Sequence, residues 1–180
     1  YDDAESRDYY CEVIIDEATK MNTMVKRLLT LNEIEFGGVK LNIECFELVG
    51  FIKEIISAKS ILLSETGAEI LFEEEAPVYV WADEYMIEEV VTNYLTNAIH
   101  YVKSGGIIKL FFEKYNGTVR VNVYNQGDNI PEQDINKIFG IFFKADMART
   151  REYGGNGIGL SIVAATMAAH GKYYGGYNVD

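Results

Sequence analysis

Residues 83–101 limit the possible folds more than any other stretch, because they read as one helix with two different faces. At 3.6 residues per turn one face is apolar and should meet a core; its members are Ile87, Val90, Val91, Tyr94, Leu95 and Ala98. A second face carries a polar side chain at every fourth residue, namely Glu89, Asn93 and Asn97. His100 and Tyr101 extend this face by one turn. Asn is a middling helix former whose amide competes with the backbone, so this second face is either an ordinary solvated surface or a site.

Charge limits the classes of ligand. The 180 residues carry a formal net charge of -12, which argues against a broad surface for nucleic acid or for an anionic membrane. A polyanionic ligand would need a local basic patch, and residues 137–151 provide one. Its charged members are Lys137, Lys144, Asp146, Arg149 and Arg151.

The length and the apolar content of 48% suit one substantial core with a small appendage. No apolar run approaches the roughly 20 residues that span a bilayer, and no signal peptide opens the chain. Cys11 and Cys45 form no motif and do not imply an oxidising compartment.

The first part of the chain predicts one long helix over residues 9–36. Apolar residues recur there at heptad spacing, with Glu17 the only break, until Gly37 and Gly38. A helix packed on its own domain and a helix paired with a partner helix look alike at this length, and the sequence leaves both open. The heptad positions are Tyr10, Ile14, Met21, Met24, Leu28 and Leu31.

Further elements follow from local patterns. Residues 39–43 alternate and predict a short strand or an extended linker, residues 48–66 predict a second amphipathic helix, and residues 68–73 and 78–81 predict two strands. Asn116-Gly117 is a strong turn signal that joins strands over 107–115 and 118–125 into a hairpin. Val119, Val121 and Val123 should face the core from its second strand.

The last third of the chain is mostly irregular. Residues 126–156 predict only a short helix at 132–139, and a loop of this length in a compact domain is usually functional or disordered. A final helix should open near Ile158 and end at His170 and Gly171. Residues 172–180 predict the start of a strand without a partner in this chain, so we expect the sequence to stop short of the domain's natural end.

Two glycine-bearing loops lie where they could close a nucleotide pocket over the polar face. Gly155, Gly157 and Gly159 lead into the final helix, where close backbone approach and free N–H groups favour phosphates. No strand precedes them and no Gly-Lys-Ser/Thr follows, which disfavours a dinucleotide-binding unit and a P-loop. Residues 125–131 form the second loop, at the end of a strand. The aromatic residues between the loops, Phe139, Phe142 and Phe143, could also be plain core residues.

In this order the pieces resemble the catalytic domain of bacterial two-component sensor histidine kinases, within the gyrase-type ATP-binding fold. Four motifs carry the resemblance: Asn93, Asn97, Ala98 and Tyr101 as the N box; Asn125, Gly127, Ile130 and Pro131 as the first glycine box; Phe139, Phe142, Phe143 and Lys144 as the F box; Gly155, Gly157, Gly159 and Leu160 as the second glycine box. Residues 31–37 resemble the end of the second helix of the dimerisation and histidine-phosphotransfer domain.

The resemblance implies a two-layer α/β sandwich, with a mixed sheet covered on one face by helices and preceded by one long N-terminal helix. Residues 1–37 would be the remnant of the dimerisation domain. Residues 38–180 would be the ATP-binding catalytic domain, lacking its last strand.

The resemblance also implies a site for ATP and Mg²⁺, in which Asn93, Asn97 and Lys144 are the catalytic residues. Asn97 would coordinate Mg²⁺ through its amide oxygen, with Asn93 beside it. Tyr101 would lie against the adenine and His100 near the phosphates, where the family often has Lys or Arg. Lys144 and Arg149 would reach the phosphates from a mobile lid over residues 144–154. The remaining implied nucleotide-binding residues are Asn125, Gly127, Ile130, Phe142, Phe143, Gly155, Gly157, Ile158, Gly159 and Leu160.

The implied function is donation of the γ-phosphate to a histidine in the dimerisation domain, for two-component signal transduction. The implied partners are the acceptor helix of the chain's own or a partner subunit and a response regulator, with no nucleic acid. The full-length protein would be a homodimer anchored in a membrane, with this part in the cytoplasm.

This chain departs from the family pattern at two kinds of position. Asn125 replaces the family's Asp and Asn129 replaces its second glycine, which affects adenine recognition. The acceptor histidine is missing, because the only histidines are His100 and His170, and His170 is expected to satisfy a helix end.

Other functions stay open at this point. A gyrase-type or mismatch-repair ATPase would carry Glu at position 93 as a general base, and an amide cannot accept that proton. A degenerate module that binds only nucleotide or a partner helix remains possible because of Asn125 and Asn129. Anti-sigma-factor kinases share the pocket, although the long first helix favours the sensor-kinase arrangement.

Overall fold

The computed structural model describes residues 4–74, 76–143 and 157–179. In these ranges the helices are α1 (Ala4–Glu35), α2 (Leu48–Ala58), α3 (Ser60–Thr66), α4 (Glu84–Tyr101) and α5 (Gly159–Ala169), with a 3₁₀ turn at Glu132–Asp134. The strands are β1 (Ile43–Glu47), β2 (Glu69–Leu71), β3 (Tyr79–Asp83), β4 (Ile107–Tyr115) and β5 (Thr118–Asn125). None of the helices in these ranges combines the length and the hydropathy needed to cross a membrane.

Three of the strands form a mixed sheet, as predicted. Strand β2 runs parallel to β4, and β4 runs antiparallel to β5 through the predicted hairpin, whose bounds match the prediction. Strands β1 and β3 form a separate antiparallel ladder. Within the described residues, hydrogen bonds therefore divide the strands into two groups rather than one continuous sheet.

The main core lies between the sheet and helices α2 and α4. Ile52, Leu95, Ile99 and Ile108 are almost completely buried in it. Each such side chain contributes about 1.5–3 kcal/mol by leaving water. Val119, Val121 and Val123 are partly buried against the same core, which confirms their predicted orientation.

A hydrogen-bond network fixes the start of α4 to the end of α5. The Asp83 side chain caps α4 by accepting from the backbone N–H of Met86, at 3.1 Å, and it also accepts from the Asn42 N–H, at 2.8 Å. The Asp83 N–H donates to Nε2 of His170, at 3.1 Å, and Nδ1 of that ring lies 2.8 Å from the Thr166 carbonyl oxygen. This geometry requires the neutral ring with its proton on Nδ1. His170 therefore satisfies a helix end, as predicted.

Helix α1 divides into two parts. Near its end, Met24, Leu28 and Leu31 pack against Ile158, Ile162 and Ala165. Earlier apolar residues are exposed: Tyr10, Ile14 and Met21 each keep about two thirds of their surface in solvent. The long helix is confirmed. Of the two arrangements that the sequence left open, packing on its own domain applies only to the end of the helix.

Several predicted elements differ in extent from those in the structure. The helix predicted over 48–66 is two helices separated at Lys59, whose ψ of 6° interrupts the helical path and lets Ile55 and Leu63 both reach the core. Of the short strand or extended linker predicted over 39–43, residues 39–42 have no regular secondary structure and the strand begins at Ile43. The helix expected over 132–139 is limited to the 3₁₀ turn, and the two strands predicted over 68–73 and 78–81 are Glu69–Leu71 and Tyr79–Asp83.

The strand predicted over 172–180 does not form in the described part of that segment. Residues 172–179 have no regular secondary structure. Gly175 and Gly176 weaken any strand there, since glycine loses more conformational entropy than other residues when it becomes ordered. Side-chain hydrogen bonds take the place of strand pairing in this segment.

Candidate nucleotide site

The polar face of α4 is directed at the start of α5. Asn93 is only 7% exposed, and its Nδ2 donates to the Glu89 carbonyl oxygen one turn earlier, at 2.8 Å. The Oδ1 atom of Asn93 lies 2.7 Å from the position that a Cβ would occupy on Gly159. Asn97 follows one turn later and is half-buried. The structure thus brings Asn93 of α4 and the end of the second glycine loop together, and only glycine fits at position 159 without displacing Asn93.

Among the described residues, no side chain caps the start of helix α5 at Ile158. The Ser161 hydroxyl donates to the Ile158 carbonyl oxygen instead of accepting from the helix start. An uncapped helix N-terminus favours an anion, because its first N–H groups lack acceptors and carry partial positive charge. Ile158 itself is fully buried against the end of α1, which holds the helix start in place. Leu160, in the first turn, is half-buried.

The F box and the second glycine loop are joined by main-chain contacts. The Phe142 N–H donates to the Gly157 carbonyl oxygen, at 2.8 Å. Gly157 has a φ of +66°, and a Cβ there would lie 3.0 Å from the Phe142 backbone, so both conformation and space require glycine. Phe142 is half exposed and also has a positive φ, 62°, whereas Phe143 is partly buried. Phe139 packs edge-on against Tyr174, with ring centroids 4.9 Å apart.

The first glycine loop crosses the C-terminal end of α4. A Cβ on Gly127 would lie 2.5 Å from the Tyr101 carbonyl oxygen and 2.6 Å from Nδ2 of Asn125. The Lys103 N–H donates to the carbonyl oxygen of Gln126, at 2.9 Å, which fixes the loop to the chain that leaves the helix. Tyr101, which is predicted to lie against the adenine, therefore contacts the loop that carries Asn125 and Ile130. We call residues 125–130 the base loop.

His100 adds no positive charge to the site at neutral pH. Burial lowers its pKa, and the nearby positive charge of Lys59 lowers it further. A family position that often holds a permanent cation is therefore occupied by a neutral ring in this chain. Lys144, Arg149 and Gly155, with the predicted lid over 144–154, lie outside the described residues, so their roles stay predictions.

Sequence reasoning missed the contribution of residues 172–179. Asn178 hydrogen-bonds to Ile130 of the base loop, and the Tyr94 hydroxyl donates to the Gly175 carbonyl oxygen, at 3.3 Å. The two adjacent glycines in this segment are a signal against the predicted strand. A long-range contact of a single Asn side chain has no local sequence signal.

Residues 82–177 match the family of histidine kinase-, DNA gyrase B- and HSP90-like ATPases. The chain belongs to this family. Among curated relatives it is 25% identical over 169 residues to the sensor-like histidine kinase SenX3 of Mycobacterium tuberculosis, covering 94% of this chain and 41% of that protein. It is 29% identical to the sensor histidine kinase WalK of Bacillus subtilis, covering 87% and 26%. The chain thus spans less than half the length of these relatives.

Solved structures agree with this assignment. The catalytic domain of the histidine kinase ThkA is 31% identical, with a TM-score of 0.62 over 70% of this chain and 80% of that one. Full-length ShkA in complex with AMPPNP has a TM-score of 0.76 over 94% of this chain and 35% of that one, at 23% identity, which supports the fold. Together with the family match, these relatives confirm the predicted identity as an ATP-binding catalytic domain of the histidine kinase type.

Proposed function

We propose that the chain binds Mg-ATP between the polar face of α4, the start of α5 and the base loop, and that it directs the γ-phosphate to a histidine outside this chain. One observation carries the proposal: the buried amide of Asn93 lies against Gly159 at the start of α5, and Asn97 follows one turn later on the same helix. A buried amide packed against a helix start that suits phosphates does not belong to an ordinary solvated surface.

The residues present fit both ATP and Mg²⁺. Mg²⁺ prefers hard oxygen ligands and usually combines few protein oxygens with phosphate oxygens and water, which suits the single amide oxygen of Asn97. The free N–H groups of α5 suit the phosphates. There is no room for a side chain at Gly127 between the base loop and Tyr101, so the loop lies close to the end of α4. When bound, Mg²⁺ would neutralise phosphate charge, which is the main requirement of phosphoryl transfer.

Phosphoryl transfer is favoured over hydrolysis by the residue at position 93. The Asn93 amide cannot take a proton from water, and its nitrogen is already engaged with the Glu89 carbonyl oxygen. We expect negligible ATP hydrolysis by the wild type and a measurable rise in Asn93→Glu, which adds a carboxylate. Wild-type turnover near 1 per second or faster, as in typical enzymes, would favour an ATPase instead.

An acceptor outside the chain is supported by the state of its own histidines. Both ring nitrogens of His170 are engaged with the fold, through Asp83 and Thr166. His100 is half-buried, with Lys59 contributing to its lowered pKa. Phosphorylation of His170 would require breaking the network that joins α4 to α5.

The further partners are part of the same proposal. ThkA has been solved in complex with the response regulator protein TrrA, and that chain is 31% identical to this one over 80% of the present sequence. We infer that a response regulator receives the phosphate here too. The exposed apolar residues early in α1 suit a dimerisation helix that contacts the acceptor helix, which fits a division into residues 1–37 and 38–180. A homodimeric, membrane-anchored full-length protein, with this part in the cytoplasm, completes the proposal.

The test is incubation with ATP labelled at the γ-phosphate, with and without a dimerisation domain that carries the acceptor histidine. We expect acid-labile phosphate on the added domain and none on the chain alone. The matched control is Asn97→Ala, which should abolish labelling of the added domain. Stable label on His100 or His170 of the isolated chain would contradict the proposed acceptor, and unlabelled partner domain would contradict the kinase function.

A further inference from the structure

The segment 172–179, which we call the tail, lies across the base loop and is attached to it by one side chain. The Ile130 N–H donates to Oδ1 of Asn178, at 2.9 Å, and Nδ2 of Asn178 donates to the Ile130 carbonyl oxygen, at 2.8 Å. Both polar groups of the amide thus hold both main-chain groups of one residue. Only a side chain with one donor and one acceptor in a plane can do this, which restricts the position to Asn or Gln.

Two other contacts fix the tail itself. The Tyr94 hydroxyl, on α4, donates to the Gly175 carbonyl oxygen, and burial raises the pKa of Tyr94 to about 12, so that this donor is retained at physiological pH. The Tyr174 ring packs edge-on against Phe139. The tail is therefore anchored to α4 and to the segment after the 3₁₀ turn, and Asn178 extends from this anchored segment to the base loop.

The contact with Asn178 lies near the end of the base loop, beyond the ion pair of Asp128 with Lys103, at 3.3 Å. The loop has no regular secondary structure after Asn125, and its position 129 is an exposed Asn rather than the family's glycine. Gly127 is held against Tyr101, but Ile130 lies three residues further along. Two hydrogen bonds to one residue, each with a net value of about 0.5–1.5 kcal/mol, are enough to change the population of a loop conformation severalfold.

We propose that Asn178 is a positioning residue for recognition of the nucleotide base, which it performs by holding Ile130 in the binding conformation of the loop. This inference rests on the proposed function, since it assumes that a nucleotide base lies against the loop. Asn178 acts through Ile130. Loss of the two bonds should therefore affect discrimination between bases more than affinity for phosphates, which α4 and α5 contact.

The experiment compares Asn178→Ala and Asn178→Asp with Tyr173→Ala, a control in the same tail whose side chain is 99% exposed. Amide exchange of Ile130 is measured by NMR without nucleotide, and ATP and GTP are titrated in competition. Asn178→Ala should speed amide exchange at Ile130 about fivefold or more and should weaken the binding of ATP about tenfold. Asn178→Asp keeps the acceptor for the Ile130 N–H but sets a carboxylate oxygen against the Ile130 carbonyl oxygen, so it too should weaken ATP binding. Tyr173→Ala should match the wild type.

The ratio of ATP to GTP affinity separates positioning from a general loss of structure. In Asn178→Ala this ratio should move towards one, whereas a general loss of structure would weaken the binding of ATP and of GTP equally. Equal weakening, or unchanged exchange at Ile130, would overturn the positioning role. A wild type that binds no nucleotide would contradict the proposed function, and the positioning role with it. A wild type that binds, with Asn178→Ala unchanged, would contradict the positioning role alone.

Discussion

Gly127 and Gly159 both lie against helix α4, but they meet different kinds of atom. A methyl group at Gly127 would approach the main-chain carbonyl oxygen of Tyr101 at the end of the helix. A methyl group at Gly159 would approach the side-chain oxygen of Asn93 in the middle of the helix. The base loop is therefore fixed by the path of the backbone, whereas the start of α5 is fixed by one polar side chain.

Asn93 therefore has two roles. It belongs to the polar face that we propose contacts the nucleotide, and it also sets how closely α5 can approach α4. The base loop, in contrast, meets α4 through main-chain atoms at Gly127, so its other residues can vary with consequences for binding rather than for folding. Asn125 and Asn129, the two departures from the family pattern, both occur in this loop.

The largest expected effect comes from replacing the two glycines by alanine. A backbone carbonyl cannot move without moving the helix end, so Gly127→Ala should lower the free energy of unfolding by about 2–3 kcal/mol. At Gly159 the Asn93 side chain can shift, and alanine is the better helix former by about 0.5–1 kcal/mol, so the net loss should be about 1 kcal/mol. Urea unfolding of both variants measures the difference.

The control for this pair is Gly38→Ala, where an added methyl meets nothing closer than 3.4 Å. Adding Asn93→Ala should relieve the steric clash in Gly159→Ala but not the one in Gly127→Ala. The changes in the free energy of unfolding should therefore be non-additive only for Asn93→Ala with Gly159→Ala. An equal loss in the free energy of unfolding for Gly127→Ala and Gly159→Ala would contradict the distinction between main-chain and side-chain contact.

A smaller effect is expected from Asn125→Asp in the base loop. A carboxylate only accepts hydrogen bonds, so it would accept from the adenine amino group with charge assistance and would repel the guanine carbonyl oxygen. We expect ATP to bind about fivefold more tightly, about 1 kcal/mol, and the ATP-over-GTP preference to widen further. Competitive titration of both nucleotides tests this. An unchanged ratio would show that Asn125 does not face the base.

The smallest expected effect concerns His100, which lies on α4 between the two contact points. Its lowered pKa means that the unfolded chain binds a proton at this position at higher pH than the folded chain does. The free energy of unfolding should therefore fall as the pH decreases through about 6.5, the ordinary value for histidine, and this contribution should level off below the folded pKa. His100→Gln should remove this part of the decrease, in urea unfolding at pH 7.5 and 5.5. Identical pH dependence in both proteins would contradict it.

Much of the fold could be predicted from local patterns. The hairpin, the polar helix and the final helix follow from turn chemistry and helical periodicity, and their bounds agree with the structure within a residue or two. The interruption at Lys59 could not be predicted, because no glycine or proline marks it and the need to bury both Ile55 and Leu63 is a tertiary effect. The absence of a strand over 172–179 has a local signal in Gly175 and Gly176, but the side-chain contacts that hold this segment to distant elements have none.

The candidate site was predictable as a set of motifs but not as a geometry. The sequence indicates that Asn93 and Asn97 share a helix face, because that follows from the helical repeat. It does not indicate that Asn93 touches Gly159, or that Gly127 touches Tyr101, because both contacts depend on how separate elements pack. Asn178 was missed for the same reason.

The proposal as a whole is tested by the Mg²⁺ dependence of ATP binding, measured by calorimetric titration of the wild type and of Asn97→Ala. Asn97 is half-buried, so its truncation should leave the unfolding midpoint close to that of the wild type. We predict that Mg²⁺ strengthens ATP binding to the wild type by about tenfold or more, and that Asn97→Ala loses this gain while keeping the Mg²⁺-free affinity. Full Mg²⁺ dependence in Asn97→Ala, or a wild type that does not bind ATP at all, would contradict the proposal.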